Sequence, residues 1–470
     1  MTRRYLRVAL VLVCVLNSRS WAYADLFHAN NFLIGDRAVG LGGAFCAVAD
    51  DASAIVYNPA GMAFAQSSKF IGSGTAFYNR RTVYRKTIGK DDFVESSSGS
   101  VPSFFGLLQQ IPGLGKGAAL GVAFYSPDAE SKSQNDLIRK DDLGIRSFHR
   151  TVNAQSATNY FGVGLATRLG GSFAVGLAAN YVTINELTQE YQGVTRTTDV
   201  EGLVLAEAAR DRGTLYTDVT QNRKLVLDAT AVEPMIGFQW TPLPEIAVGV
   251  SYRQPFLVSQ KLVQDLDVAV NNRFANDTPF TSADIDDAST QKWRDLKGRG
   301  VKSLRQNPEF ASTGLPLGSV TVDEPLGGLP AEARFGVAWF ASSRLLVSGD
   351  VSYRLAPDEG DLPEISIQDT INYHLGLEVY LTSSLPLRLG LFTNNDFRAK
   401  PQSGRANQEE HIDYLGGSAV LVWAAGTVQL GLGGVVQKGS GQAQKVADDK
   451  AIQEVDSMFY SLVVSAATAM

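Results

Sequence analysis

Few residues of this 470-residue chain are spaced for bond-breaking chemistry. Ser289-Thr290-Gln291-Lys292 fits a Ser-x-x-Lys nucleophile pattern, but it lies in a polar stretch without the companion motifs, so a chance match is expected. His28, His149, His374 and His411 are followed two residues later by Asn30, Thr151, Gly376 and Asp413, which is no lipase-like serine–histidine spacing. "EEHID" at 409–413 and "DIDD" at 284–287 are acidic enough for a cation, yet neither has a recognised ligand spacing, and solvated acidic loops are the expectation. There is no phosphate-cradling glycine loop and no zinc signature, so neither an enzyme nor a cofactor or metal is expected.

The remaining chemistry is that of charge and grease. Arg253, Arg334, Arg344, Arg354 and Arg388, with Glu332, Asp350 and Glu378, alternate with apolar neighbours. On strands they share one face, where they either hold an anionic headgroup or pair with one another across neighbouring strands, the commoner outcome. From Ser343 to Leu355 the odd positions are apolar or small, and the even ones include Arg344, Ser348, Asp350, Ser352 and Arg354. The runs 371–382 and 385–392 repeat that period of two. No segment after the first 24 residues reaches the roughly 18 apolar residues of a membrane helix.

Residues 1–24 have the parts of an export signal: Arg3, Arg4 and Arg7, an apolar run from Val8 to Leu16, then Ala22-Tyr23-Ala24. Cys14 lies inside the apolar run after Val13, which argues against a lipoprotein signal. The exported chain keeps only Cys46, so it forms no internal disulfide. The net charge is −6; removing four arginines and no acids leaves −10, which argues against a nucleic-acid partner. With no linker-like composition between halves, one continuous architecture is expected.

Alternation alone does not separate a soluble sandwich from a membrane barrel, but turn lengths do. Gly170-Gly171, Ser342-Ser343, Ser383-Ser384 and Ala425-Gly426 are short links, whereas 190–224 and 271–330 are long and polar. That asymmetry fits an all-β, transmembrane antiparallel barrel with a periplasmic and an outer rim. About fourteen strands are expected, near 67–84, 98–110, 117–126, 149–169, 172–187, 225–241, 245–261, 331–341, 343–356, 369–382, 385–394, 411–424, 427–439 and 457–469. The barrel proper would occupy 67–470, leaving 25–66 as a compact N-terminal hatch, helical in part, inside a lumen too wide for its own side chains to fill. Asp50-Asp51-Ala52-Ser53 offers a helix start and Pro59 a stop.

"FHANNF" (27–32), "GDRAVGLGGAFCAVADDASAIVYNPAGMA" (35–63), "VGVSYRQP" (248–255) and "LPAEARFGVAWF" (329–340) resemble the long-chain fatty acid outer-membrane transporter family, FadL-like proteins that include aromatic hydrocarbon channels. The resemblance covers the exported chain in order. It implies a monomeric outer-membrane channel of a Gram-negative cell whose partners are a hydrophobic small molecule or lipid and the surrounding membrane lipid. Uptake is passive, through a lumen pocket, with release sideways into the bilayer at a kinked third strand. Carried over, Asn58, Pro59 and Ala60 match the hatch motif, Phe27 and Phe32 are ligand contacts, and Phe124, Tyr125 and Pro127 mark the lateral gate. Arg253, Arg334, Asp350 and Arg388 are lumen charges. The departure is the C-terminus, Ala469-Met470 rather than an aromatic residue, which implies an atypical assembly signal or a shifted last strand.

Competing readings stay open. Asn58-Pro59 also reads as an ordinary helix stop, and Phe27 as a frayed terminus. Leu203, Val204 and Leu205, and Phe274, Phe280, Trp293 and Phe310, read either as ligand-gathering patches or as rim packing. The "GGAF…AVADDASA…YNPAG" wording also resembles barrels that dock or shuttle within a secretion or surface-attachment system.

Overall fold

The computed structural model describes residues 27–29, 31–88, 90–113, 117–140, 145–197, 215–274, 318–322, 329–357, 367–405, 408–445 and 451–470. Residues 1–24, expected to be an export signal, the Ser289–Lys292 and 284–287 motifs, Leu203–Leu205, Phe280, Trp293 and Phe310 lie outside them, and of Phe274 only the backbone is described.

Period-two alternation resolves into sixteen strand segments: β1 (Lys69–Ile88), β2 (Asp91–Gln110), β3 (Ala119–Lys140), β4 (Ile145–Arg168), β5 (Phe173–Thr197), β6 (Leu215–Leu243), β7 (Ile246–Arg253), β8 (Phe256–Phe274), β9 (Gly318–Val322), β10 (Ala331–Ser342), β11 (Leu345–Leu355), β12 (Thr370–Thr382), β13 (Leu385–Asn394), β14 (His411–Ala425), β15 (Val428–Ala443) and β16 (Gln453–Ala469). Gln254-Pro255 interrupts one long strand into β7 and β8, both of which pair with β6. β9 is a short extra strand on the edge of β8. Counting β7–β8 once, fourteen antiparallel strands close when β1 pairs with β16, Lys69 opposite Ala469.

Alternation sorts the side chains. On β11, Val347, Val351 and Tyr353 are exposed while Leu346, Ser348, Asp350 and Ser352 are buried. Outward residues make a greasy belt, with Trp240, Trp339 and Trp423 next to the short turns and Phe77, Phe161, Tyr181, Tyr252, Tyr353 and Tyr373 toward the other rim. From Leu345 to Tyr353 is eight steps of strand, roughly 26 Å before tilt, which suits the apolar band of a membrane barrel.

Three expectations change. Of the 190–224 stretch, 190–197 and 215–224 are strand rather than loop: β5 and β6 run on as a paired ribbon, with Thr197 opposite Tyr216, because Thr, Val and Tyr alternate there too. β8 and β9 likewise take up parts of 271–330. Arg344 is exposed at the Ser342–Leu345 turn rather than in the lumen, since that turn ends the alternation. The last strand is not shifted; β16 runs to Ala469 in register with β1.

Residues 31–65 lie within the ring of strands and are almost wholly buried. Only two short α-helices, α1 (Asp36–Gly40) and α2 (Ala54–Tyr57), and a 3-10 helix (Pro59–Phe64) are regular, a smaller helical content than the segment's alanines suggest. The wall meets this segment with glycines. Cross-strand pairs Gly121–Gly164, Gly176–Gly237, Gly249–Gly336 and Gly376–Gly390 face it. A Cβ on Gly237 would lie 2.1 Å from Asn58 Oδ1, one on Gly176 2.3 Å from the Pro59 carbonyl carbon, and one on Gly249 2.2 Å from the Cys46 carbonyl oxygen. Replacing Gly237 by Val therefore displaces the segment without touching the outer belt. In planar bilayers this variant is expected to pass several-fold more electrolyte than the parent, and an unchanged conductance from folded protein contradicts the packing described.

Candidate functional site: a plugged lumen and a break in its wall

The 31–65 segment carries backbone groups that its short helices do not pair, and in a sealed lumen each needs a protein partner. Asn58 supplies several. Its side-chain amide donates to the Cys46 carbonyl (2.9 Å) and to the Phe238 carbonyl of β6 (3.0 Å), while its Oδ1 accepts from Ala60 N–H (3.2 Å). Pro59 opens the 3-10 helix, where its missing N–H costs nothing. Asp350 Oδ2 accepts from the N–H groups of Phe45 (2.9 Å) and Cys46 (2.8 Å). Arg334 donates to the Gly43 carbonyl (3.0 Å) and lies 5.1 Å from the Tyr57 ring centre. Arg388 bonds Asp36 (2.6 Å) and Glu378 (2.8 Å), and Arg37 joins Glu378 (3.0 Å) to Asp50 (3.1 Å). Three of the four lumen charges, Arg334, Asp350 and Arg388, thus bind the segment itself; Arg253 instead donates to Glu332 (2.7 Å).

Protonation within the segment follows this packing. Burial opposes the Arg37 charge, but Glu378 and Asp50 outweigh it and hold the guanidinium well above its ordinary range. Burial, then the Asp350 charge, pushes the Cys46 thiol up, and burial pushes Tyr57 up to about 12. Asp51 is raised by burial and by Asp50, against the Ser53 hydrogen bonds that favour its charge.

The wall is broken beside this segment. β2 and β3 are laddered only from Phe104–Tyr125 to Gln110–Ala119. Continuing that register would set Pro102 of β2 opposite Pro127 of β3 in a non-hydrogen-bonded pair, since the odd positions of β2 carry the β2–β3 bonds, as Ile111 N–H to the Ala118 carbonyl shows; the two missing donors therefore face β1 and β4, and β1 slips against β2 between Thr75 and Tyr78. β3 also bulges against β4 between Tyr125 and Asp128. Farther out, the Gln134 side chain reaches the Val94 carbonyl (2.7 Å) and Ser96 N–H (3.3 Å) and bounds the gap. Behind it the Phe32 N–H donates to the Pro127 carbonyl (3.1 Å), Asn31 donates to Asp128 (3.0 Å), and Phe32, Tyr78, Val101 and Phe459 form a buried apolar cluster. Phe124 faces outward and Tyr125 inward, stacked on Tyr160 at 4.7 Å.

Two cavities lie in this part of the lumen. One of about 80 Å³ is lined by Phe32, Tyr57, Tyr125, Pro127, Tyr160 and Arg253 among others. The second, about 120 Å³, is charged: Glu95 meets Lys132 (2.5 Å), Arg150 (2.8 Å) and Lys445 (3.4 Å). Phe27 lies there, its ring 4.7 Å from the Arg398 guanidinium carbon, apart from Phe32 and the smaller cavity. Pro102, Tyr160, Arg37 and the glycine pairs escaped the sequence reading. Pro102 was detectable as a proline inside an alternating run; the pairing of the glycines requires the register.

No protein-family model matches the sequence, and no curated relative matches it. Solved structures do. A Pseudomonas aeruginosa FadL homologue is 12% identical, with 93% of this chain and 98% of that one covered and a TM-score of 0.56. The toluene transporter TodX of P. putida matches at 11% identity, 93% and 98% coverage and TM-score 0.56. The monoaromatic hydrocarbon channel CymD matches at 13%, 94% and 99%, and 0.53. At such identities the likeness establishes architecture: this chain has the 14-stranded fold of the FadL homologue and of the aromatic hydrocarbon channels.

Proposed function

We propose that the protein is an outer-membrane channel that takes up hydrophobic compounds passively and releases them sideways into the bilayer between β2 and β3. The observation that carries this reading is the Pro102/Pro127 break, which opens the wall next to a lumen cavity, with the 31–65 segment obstructing the straight route through the barrel. An apolar molecule gains nothing from an aqueous pore; leaving by a gap in the wall returns it directly to grease. Burial at about 0.8 kcal/mol per CH₂ gives an acyl chain of about ten methylenes micromolar affinity with little polar help. The fold shared with FadL-type and aromatic hydrocarbon channels supports the reading. In this scheme Phe32 is the inner leaf of the gate, and Asn58, Pro59 and Ala60 keep the plug seated against β5 and β6.

Two tests follow. Replacing both Pro102 and Pro127 by Thr restores one donor toward β1 and one toward β4, which straightens both strands and lets β2 zip onto β3; uptake of a labelled hydrophobic probe by cells is expected to fall about tenfold or more, with the barrel still assembled. Undiminished uptake refutes lateral release. Asn58→Ala leaves the Cys46 and Phe238 carbonyls without their partner, on the order of 2–4 kcal/mol for two buried acceptors. Lowered uptake with normal heat-modifiable migration is expected, and wild-type uptake removes Asn58 from the mechanism.

A further inference from the structure

The smaller cavity is not uniformly greasy. Three of its lining groups, the Tyr125 hydroxyl, the Thr158 hydroxyl and Nη1 of Arg354, are buried without a protein hydrogen-bond partner among the described residues. Tyr125 is 1% and Thr158 3% exposed. They come from β3, β4 and β11, so no single local irregularity accounts for them. Buried polar groups are normally paired, and three unpaired donors around one cavity imply a ligand acceptor.

The surrounding charges define what kind of acceptor. Glu332 accepts from Arg253 (2.7 Å), Arg334 (3.3 Å) and Arg354 (3.3 Å). Glu233 lies 3.9 Å from Arg253, and Asp350 lies 3.7 Å from Arg334. Three arginines thus face three carboxylates, and the cluster is balanced without a ligand charge. At about 80 Å³ the cavity is roughly half of one known to admit benzene, so it seats one end of a molecule while the rest extends toward Phe32 and the wall break.

We propose that this cavity is a subsite for an uncharged oxygen, a phenol, alcohol or carbonyl, carried on an apolar body, and that Tyr125, Thr158 and Arg354 donate to it. The proposal rests on the uptake reading above and narrows its substrate class from hydrophobic compounds in general to neutral oxygenated ones.

The test is equilibrium dialysis of the full-length protein in detergent against protein-free micelles, with three probes of one shape: p-cresol, toluene and 4-methylbenzoate. p-Cresol is expected to bind about tenfold more tightly than either of the others, the worth of one to two hydrogen bonds. Tyr125→Phe and Thr158→Val are each expected to reduce p-cresol binding several-fold and leave toluene unchanged. Tyr125→Phe also removes a buried unpaired hydroxyl, so the unliganded variant is expected to melt no lower than the parent. A lower melting point indicates a structural role for the hydroxyl and overturns the assignment. Equal binding of p-cresol and toluene overturns this proposal and leaves the uptake reading standing, whereas tightest binding of 4-methylbenzoate overturns it in favour of an anion site. Binding of none of the three overturns both.

Discussion

A cylinder of fourteen strands encloses more volume than its inward side chains occupy, and the lumen of this protein is organised around that shortfall. The filler is chain rather than side chain, and chain brings carbonyls and amides that need partners. That is why the inner wall holds Asp350 under two consecutive amides, Arg334 under the Gly43 carbonyl, and His374 2.8 Å from the Gly42 carbonyl. It is also why glycines face the segment: only a wall without Cβ atoms lets two backbones approach this closely. Of the charges that alternation leaves between headgroup binding and mutual pairing, Arg334, Asp350, Glu378 and Arg388 hold the N-terminal segment, while Arg253, Arg354 and Glu332 pair with one another.

The outer belt and the inner network impose opposite demands on one sheet, and alternation satisfies both at once. Val351 and Tyr353 face outward, while Asp350 and Ser352 between and beside them face the plug. A one-residue slip would exchange these faces, so register is strongly specified wherever lipid lies on one side and the plug on the other. The place where register is abandoned is correspondingly informative. The β2–β3 ladder ends where Pro102 and Pro127 distort their pairing with β1 and β4, and there the N-terminal segment holds β3 through Phe32 N–H on the Pro127 carbonyl and Asn31 on the Asp128 carboxylate. The segment inside the barrel and the wall break thereby share the contacts of Phe32 and Asn31.

Much of the fold is legible in the sequence because period-two patterning is local. The strands from 331 to 394 are placed to within a residue or two, and the short turns at Ser342-Ser343, Ser383-Ser384 and Ala425-Gly426 sit where small residues interrupt alternation. The outward extensions of β5, β6 and β8 are less legible, since polar strand and polar loop share their composition there. The site is less legible still. Asn58 and Pro59 announce a kink, but not that the Asn58 amide spans from Cys46 to β6. Tyr125 and Thr158 look like ordinary inward residues until their unpaired hydroxyls are seen around one cavity. Such facts are set by contacts between separate elements of the fold, which no local pattern encodes.

Cys46 offers a direct check that the N-terminal segment is seated against the inner wall. Its Sγ lies 4.0 Å from Ser251 Oγ on β7. Ser251→Cys places a second thiol there, and oxidation with copper phenanthroline offsets the reluctance of the buried Cys46 thiol to ionise. The account predicts near-complete formation of an internal disulfide between positions 46 and 251 in intact membranes, detected by mass spectrometry of a digest. Free thiols at both positions in a folded barrel would contradict it.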